Sequence, residues 1–285
     1  AGVNYIRVRV WNDPYDENGN GYGGGNCDID NCIAIGKRAT EYGMKLLVNF
    51  HYSDFWADPA KQMVPKAWVK MGIEEKSNAL YEYTKSSLEK LVAAGVEVGM
   101  VQIGNETDNG MMWETGRNTN AFVSIINTAH DAIKSVNPDA QTVIHVSECE
   151  NLQWLTNYFD TLQSNGAKWD AIGLSVHVEK STLEPNQLID KVVENVKALK
   201  ERYGKPVLIV ETGYYIDRPV EANQWLCDFL VKLMEAGASG LYYWEPELTE
   251  DYNLGAWNPL TRKPSIVMDA FLGLRHVEGT ADGIS

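Results

Sequence analysis

The chain has 285 residues and a formal net charge of −14 at pH 7. This excess of acidic groups argues against nucleic acid or an anionic membrane as a partner, because both carry negative charge themselves. No apolar run approaches the roughly 18 residues that a membrane-spanning helix needs. A neutral polysaccharide remains compatible with such a charge. For this length we predict one large domain over residues 1–275, followed by a disordered tail over 276–285.

Strand-like and helix-like patterns alternate along the chain. Short apolar runs predict strands near residues 5, 45, 98, 142, 171, 206 and 239. Amphipathic segments predict helices from Asp28 or Asp30 to about Tyr42, and over 74–94, 118–136, 151–164, 186–203, 219–236 and 265–272. This alternation is typical of a parallel α/β protein. Polar or aromatic residues follow almost every strand, which favours a barrel over a doubly wound sheet.

The number of strands is one short of a complete barrel. A (β/α)8 TIM barrel has eight strands, and the sequence shows seven, the last of them over residues 240–246. We therefore expect a (β/α)8 barrel that lacks its first strand and helix at the N-terminus. Open edges at the first and last strands predict low stability.

Two of the predicted strands end at a glutamate. The run Val101–Thr107 delivers Glu106 after Gly104 and Asn105, and the run Pro206–Thr212 delivers Glu211. Side chains at the carboxyl ends of barrel strands carry the chemistry of this fold, and two carboxylates there suit glycoside hydrolysis. We assign Glu106 as acid/base and Glu211 as nucleophile. A single strand-end glutamate is as often a helix cap or a surface ion pair, and the pairing argues against that reading.

Other candidate site residues follow the remaining strands. In the hypothesis they contact the sugar, with Asn105 hydrogen-bonding its 2-OH and an arginine near the chain start keeping Glu211 ionised. The substrate-binding candidates are Arg7, His51, Asp54, Trp56, Asn105, His177 and Trp244.

Metal and cofactor motifs are weak. Asp16–Gly21 imitates the start of an EF-hand calcium loop, but Cys27 occupies the position where the loop requires a glutamate. His51, Asp54 and His177 lack the tight spacing of a zinc site. We therefore expect no metal and no cofactor. Cys27 and Cys32 are near enough in sequence for a local disulfide, and thiols are the favoured alternative.

Several motifs together resemble glycoside hydrolase family 53, the endo-β-1,4-galactanases. They are Arg7–Pro14, Gly21–Gly25, His51–Pro59, Pro65–Trp68, Gln102–Glu106 and Tyr243–Pro246. The resemblance implies a (β/α)8 barrel and cleavage of β-1,4-galactan, the side chain of type I arabinogalactan in pectin, with retention of configuration. It places Glu106 at the acid/base and Glu211 at the nucleophile position. It also places Arg7, His51, Asn105 and Trp244 around the −1 sugar, and it implies a secreted, periplasmic or cell-surface monomer.

The segment Val176–Lys180 departs from the pattern of that family, which has a Tyr-Tyr-Pro-x-Trp-His run there. This departure keeps open another retaining β-1,4-glycanase of the same clan, such as a mannanase. The missing N-terminal unit keeps open a carbohydrate-binding barrel with impaired catalysis. The short segment Thr212–Pro219 leaves no room for the calcium-binding insertion of some members, so we expect no calcium.

Overall fold

The computed structural model describes residues 2–23, 25–113, 119–248 and 252–273. They divide into two compact units. The N-terminal unit is Tyr5–Gly173, and the C-terminal unit is Leu174–Ser285 together with Ala1–Asn4. The predicted tail over 276–285 lies outside the described residues. Among the described helices, none is long and apolar enough to cross a membrane.

The N-terminal unit alternates strands and helices, as predicted. Its first four strands are parallel and hydrogen-bond in chain order. In the register Arg9 stands beside Asn49, and Asn49 beside Gln102. The elements are β1 (Tyr5–Val10), α1 (Ile29–Glu41), β2 (Lys45–Phe50), a 3₁₀ turn (Lys66–Trp68), α2 (Ile73–Ala93), β3 (Val98–Ile103), α3 (Thr119–Val136), β4 (Gln141–Val146) and α4 (Leu152–Ser164).

Local sequence explains where these helices begin. The carboxylate of Asp28 accepts a hydrogen bond of 2.8 Å from the backbone N–H of Asn31, so Asp28 is the N-cap of α1. The Asn151 side chain caps α4 in the same way through Trp154 N, at 3.0 Å. Five of the six residues of β2 are buried. A strand covered on both faces is mostly apolar, which is why the apolar residues 46–48 follow one another without alternation.

The C-terminal unit continues the same alternation. Its strand β5 (Ala171–His177) begins in the last residues of the N-terminal unit. Pro185 and Pro219 start the two helices at positions where the missing N–H costs nothing. The further elements are α5 (Pro185–Tyr203), β6 (Val207–Gly213), α6 (Pro219–Glu235), β7 (Gly240–Leu241), an antiparallel ribbon of β8 (Trp257–Asn258) and β9 (Lys263–Pro264), and a 3₁₀ turn (Ile266–Asp269).

The last predicted strand is shorter than the sequence indicated. Regular strand structure covers Gly240–Leu241 alone, although Trp244 N still donates to Thr212 O at 2.8 Å. The backbone then turns at Glu245, which has a φ of +45°. The final predicted helix likewise begins as the 3₁₀ turn Ile266–Asp269. Both ends are shaped by local turns that periodicity does not reveal.

The calcium-like loop and the cysteines have simple structural explanations. The Asp16 carboxylate accepts hydrogen bonds from Asn18 N, Asn20 N and Asn20 Nδ2 at 2.8–3.0 Å, and the bonds from Asn20 lower the pKa of Asp16. The loop is therefore a turn closed by its own aspartate. All four cysteines are thiols, and burial raises the pKa of Cys32 to about 12.

Candidate active site

Glu106 lies on a sharp turn directly after β3. Gly104 has a φ of +77° and Glu106 a φ of +45°, in the left-handed region that non-glycine residues rarely adopt. A side chain at Gly104 would collide with Met111 Sδ and with Thr107 Cγ2. Glu106 is buried, with a relative exposure of 6%. Backbone strain of this kind concentrates at functional sites, where surrounding contacts enforce it.

Three neighbouring side chains hold that turn. Gln62 Nε2 donates to the carbonyl oxygens of Asn105 at 2.8 Å and of Glu106 at 3.2 Å. The backbone N–H of Glu106 donates to His145 Nδ1 at 3.2 Å, and Gln102 Nε2 lies 3.0 Å from the same nitrogen. Since both groups donate to Nδ1, we assign the proton of a neutral His145 ring to Nε2. The backbone of Glu106 is thus tied at both its N–H and its carbonyl.

The side chain of Asn105 is fixed as firmly as its backbone. Asn105 Nδ2 donates to Ala57 O at 2.8 Å. Its Oδ1 accepts from Arg7 Nη2 at 2.9 Å and lies 3.0 Å from the side-chain amide of Asn49. Arg7 Nε in turn donates to Gln102 Oε1 at 3.0 Å. One Nδ2 hydrogen of Asn105 is left over after the bond to Ala57.

His51 and Trp56 belong to the same region of the N-terminal unit. Ala57 N donates to His51 Nδ1 at 3.0 Å, and His51 Nε2 lies 3.3 Å from the side-chain amide of Asn49. The Arg9 guanidinium stands 4.4 Å from the centre of the Trp56 ring, which is a cation–π contact. The structure therefore brings His51 and Asn105 together around the Asn49 amide, and Arg7 joins them through Asn105, the residue before Glu106.

Asp54 occupies a different position from the other candidates. Its Oδ1 accepts from Asp13 N at 2.9 Å and its Oδ2 from Lys66 N at 2.7 Å. Burial raises the pKa of Asp54, and these two hydrogen bonds oppose the rise. The carboxylate joins two loops. Its contact with substrate stays a prediction.

Glu211 lies within β6, in the C-terminal unit. It is buried, with 6% exposure. His177, at the end of β5, places Nε2 3.2 Å from Glu211 Oε2. The other ring nitrogen, Nδ1, is buried without a hydrogen-bond partner among the described residues, and Glu179 Oε1 lies 3.8 Å away from it.

Trp244 follows β7 in the same unit. Its ring packs edge-on against Tyr252, with 4.8 Å between the ring centres. The Tyr252 hydroxyl is buried, and within the described part of the chain it has no hydrogen-bond partner. Burial raises the pKa of Tyr252, and nearby acidic groups, among them Glu179 and Glu211, raise it further. Within the described residues, the hydrogen-bonding capacity of His177 Nδ1 and of the Tyr252 hydroxyl is therefore unused.

Sequence reasoning missed several of these residues. Three of them share one position, the last residue but one of a buried strand, with an apolar residue on either side in the sequence. They are Asn49, Gln102 and His145. A polar residue at that position was the available signal. Gln62 and Tyr252 lie in loops and carry no comparable signal.

Comparisons with known proteins identify relatives of this chain. The family model "Glycosyl hydrolase family 53" matches residues 1–225. The chain is 38% identical over 307 aligned positions to an "Endo-beta-1,4-galactanase" of Bacillus subtilis, covering 99% of this chain and 67% of that protein. It is 31% identical to an "Arabinogalactan endo-beta-1,4-galactanase" of Humicola insolens, covering 90% of this chain and 81% of the relative.

Solved structures give the same result for the fold. The "Ignisphaera aggregans GH53 catalytic domain" superposes with a TM-score of 0.87 at 31% identity, over 95% of this chain and 85% of that one. A fungal β-1,4-galactanase structure superposes with a TM-score of 0.83 at 26% identity, over 95% and 88%. The prediction of a parallel α/β barrel is therefore confirmed.

Proposed function

This chain belongs to glycosyl hydrolase family 53, as its motifs predicted, and from that premise we propose that it is an endo-β-1,4-galactanase. It hydrolyses internal bonds of β-1,4-galactan, the side chain of type I arabinogalactan. The observation that carries the proposal is Glu106, a buried carboxyl group on a strained strand-end turn that Gln62 and His145 hold in place. The 38% identity to a curated endo-β-1,4-galactanase supports the substrate.

We propose that the reaction proceeds in two displacements. Glu106 protonates the glycosidic oxygen while Glu211 attacks the anomeric carbon, so that the C1–O bond to the leaving sugar breaks and a C1–O bond to Glu211 forms. Glu106 then takes a proton from water, and the oxygen of that water displaces Glu211 from C1. Two successive inversions retain the β configuration. Retaining enzymes hold the two carboxyl groups about 5–5.5 Å apart, which is the separation this mechanism requires.

The remaining candidates position the sugar. The unused Nδ2 hydrogen of Asn105 suits a sugar hydroxyl, and the Arg7 guanidinium fixes the orientation of the amide. Trp56 and Trp244 supply aromatic faces for sugar rings. We propose that both histidines contact the substrate. His51 lies beside Asn49, and His177 lies beside Glu211. The polysaccharide cannot cross a membrane, so we propose that the protein is secreted, periplasmic or bound at the cell surface. We also propose that it acts as a monomer.

The test is release of reducing ends from purified β-1,4-galactan. Glu106→Gln and Glu211→Gln each lower the rate by about 10²–10⁴-fold, the usual contribution of such groups. Glu201→Gln, an exposed glutamate on α5, is the matched control and keeps wild-type activity. Thermal unfolding of all four proteins confirms that they are folded.

A panel of glycans separates the alternatives. Preferential cleavage of mannan would replace the galactanase assignment with a mannanase, an alternative that the altered segment Val176–Lys180 keeps in view. Binding of galactan by a folded wild type, without cleavage, would identify a carbohydrate-binding barrel instead. Cleavage of galactan that survives in Glu106→Gln or Glu211→Gln would contradict the roles given to those residues.

A further inference from the structure

Glu179 stands beside His177 and has no part in the mechanism described above. It lies in the turn after β5, where Lys180 N donates to His177 O at 3.1 Å. This backbone bond closes the turn that carries Glu179. The Glu179 side chain is 33% exposed, whereas that of His177 is 8% exposed. A partly exposed carboxylate therefore adjoins a buried ring.

The two ring nitrogens of His177 have unequal surroundings. Nε2 lies 3.2 Å from Glu211 Oε2, which is hydrogen-bonding distance. Nδ1 is buried and, among the described residues, has no hydrogen-bond partner. Glu179 Oε1, at 3.8 Å, is too distant for a hydrogen bond. An unpaired buried nitrogen is unfavourable, and an approach of about 1 Å by the Glu179 carboxylate would pair it.

We propose that Glu179 is a positioning residue for the nucleophile. Its carboxyl group closes on His177 Nδ1, and the pair holds Nε2 against Glu211 so that the attacking carboxylate oxygen is fixed in orientation. One proton shared between Nδ1 and Glu179 satisfies both atoms. Glu179 acts through His177 and does not touch the sugar. The inference rests on the proposed function, because it needs Glu211 to be the nucleophile.

This role predicts a specific kinetic signature. An interaction that orients the nucleophile acts on the transition state more than on substrate binding, so its loss lowers kcat and leaves KM nearly unchanged. A hydrogen bond to a charged group is strong enough for an effect of about tenfold. A residue that only closes a loop would not produce this pattern.

Two readouts test the proposal, one of which does not depend on activity. The first is the ¹⁵N resonance of His177 Nδ1, which moves in Glu179→Gln because the partner of that nitrogen changes. The second is the rate at which an activated 2-deoxy-2-fluoro-β-galactoside traps Glu211 covalently, which falls about tenfold together with kcat. Glu201→Gln changes neither. Glu179→Asp, which keeps the carboxylate, retains more of the trapping rate than Glu179→Gln and replaces it if that variant fails to fold.

An unchanged Nδ1 resonance in Glu179→Gln, or an unchanged trapping rate, would overturn the proposal. Failure of the wild type to cleave galactan or to be trapped would count against the proposed function instead. The resonance still reports on the contact between Glu179 and His177 in that case, so the two failures are distinguishable.

Discussion

The two glutamates have contrasting surroundings. Glu106 lies on a left-handed turn whose backbone is tied by Gln62 and His145. Glu211 lies in a regular strand, and its environment contains His177 Nδ1 and the Tyr252 hydroxyl, which have no hydrogen-bond partner among the described residues. One carboxyl group is placed by backbone geometry and the other by a side-chain partner. The difference teaches that the proposed acid/base is placed by a strained backbone turn, while the proposed nucleophile is placed within a strand beside His177.

The strained turn before Glu106 is the clearest difference between the two glutamates, and Gly104→Ala disrupts that turn. The new methyl group collides with Met111 and Thr107, and the left-handed φ is unfavourable for alanine. Together these effects destabilise the fold by about 3 kcal/mol. The measurement is urea unfolding. Gly43→Ala is the control, because Gly43 has a similar φ of +73° and open space around it. Equal losses in the two variants would show that the collision is unimportant.

Removing the support of the turn has the next largest effect. Gln62→Met leaves the carbonyls of Asn105 and Glu106 without this donor, which destabilises the fold by about 2 kcal/mol. It also lowers kcat about tenfold, because Glu106 is no longer held in its strained conformation. Chemical unfolding and steady-state kinetics on galactan measure the two effects. Gln163→Met, an exposed change on α4, alters neither. A normal kcat in Gln62→Met would mean that the turn needs no support.

Two tyrosines test the contrast, because their replacement by phenylalanine is expected to change stability in opposite directions. Tyr158 in the N-terminal unit shares a hydrogen bond of 2.9 Å with Thr107 Oγ1 and donates to Thr107 O at 3.0 Å, so Tyr158→Phe destabilises by about 1 kcal/mol. Tyr252 in the C-terminal unit has a buried hydroxyl without a partner in the described residues, so Tyr252→Phe stabilises the substrate-free protein by about 1 kcal/mol. Melting temperatures give both signs. A destabilised Tyr252→Phe would show that the hydroxyl has a partner in solution.

Acid sensitivity is the smallest expected effect and involves neither glutamate. Burial alone would raise the pKa of Asp170, but hydrogen bonds from Lys134 and Thr142 outweigh it and hold that pKa below its ordinary value. Such a group stabilises the fold above its unfolded pKa of about 3.9, and the contribution is lost as pH falls through the lower folded pKa.

A second group in that region responds at higher pH. Burial lowers the pKa of His130, whose Nδ1 lies 3.0 Å from Thr142 Oγ1. The unfolded chain therefore binds this proton first, and stability falls as pH drops below about 6.5. Unfolding free energies of Asp170→Asn and His130→Gln between pH 3 and 8 separate the two windows. Each variant flattens the loss in its own window, and an unchanged profile would contradict the assignment.

The fold was predictable because its signals are local. Apolar runs and the caps of α1 and α4 lie within a few residues of the elements they define, and β3 begins at Val98, where a strand was predicted. The two glutamates were found because each ends an apolar run in the sequence, although β6 itself continues past Glu211 to Gly213. The network around Glu106 was not found, because Arg7 and Asn105 are 98 residues apart and Gln62 and Asn105 are 43 apart. Side-chain contacts across such separations depend on packing that periodicity does not encode.

The roles of the two glutamates are tested most directly by azide rescue. In Glu106→Ala the covalent intermediate on Glu211 still forms with an activated galactoside, and azide attacks it to give the β-galactosyl azide. In Glu211→Ala azide takes the place of the missing nucleophile and a single inversion gives the α-galactosyl azide. Nuclear magnetic resonance of the anomeric proton distinguishes the products. Finding β-azide from Glu106→Ala and α-azide from Glu211→Ala is the result this mechanism predicts. The reverse pattern, or rescue of neither variant, would contradict it.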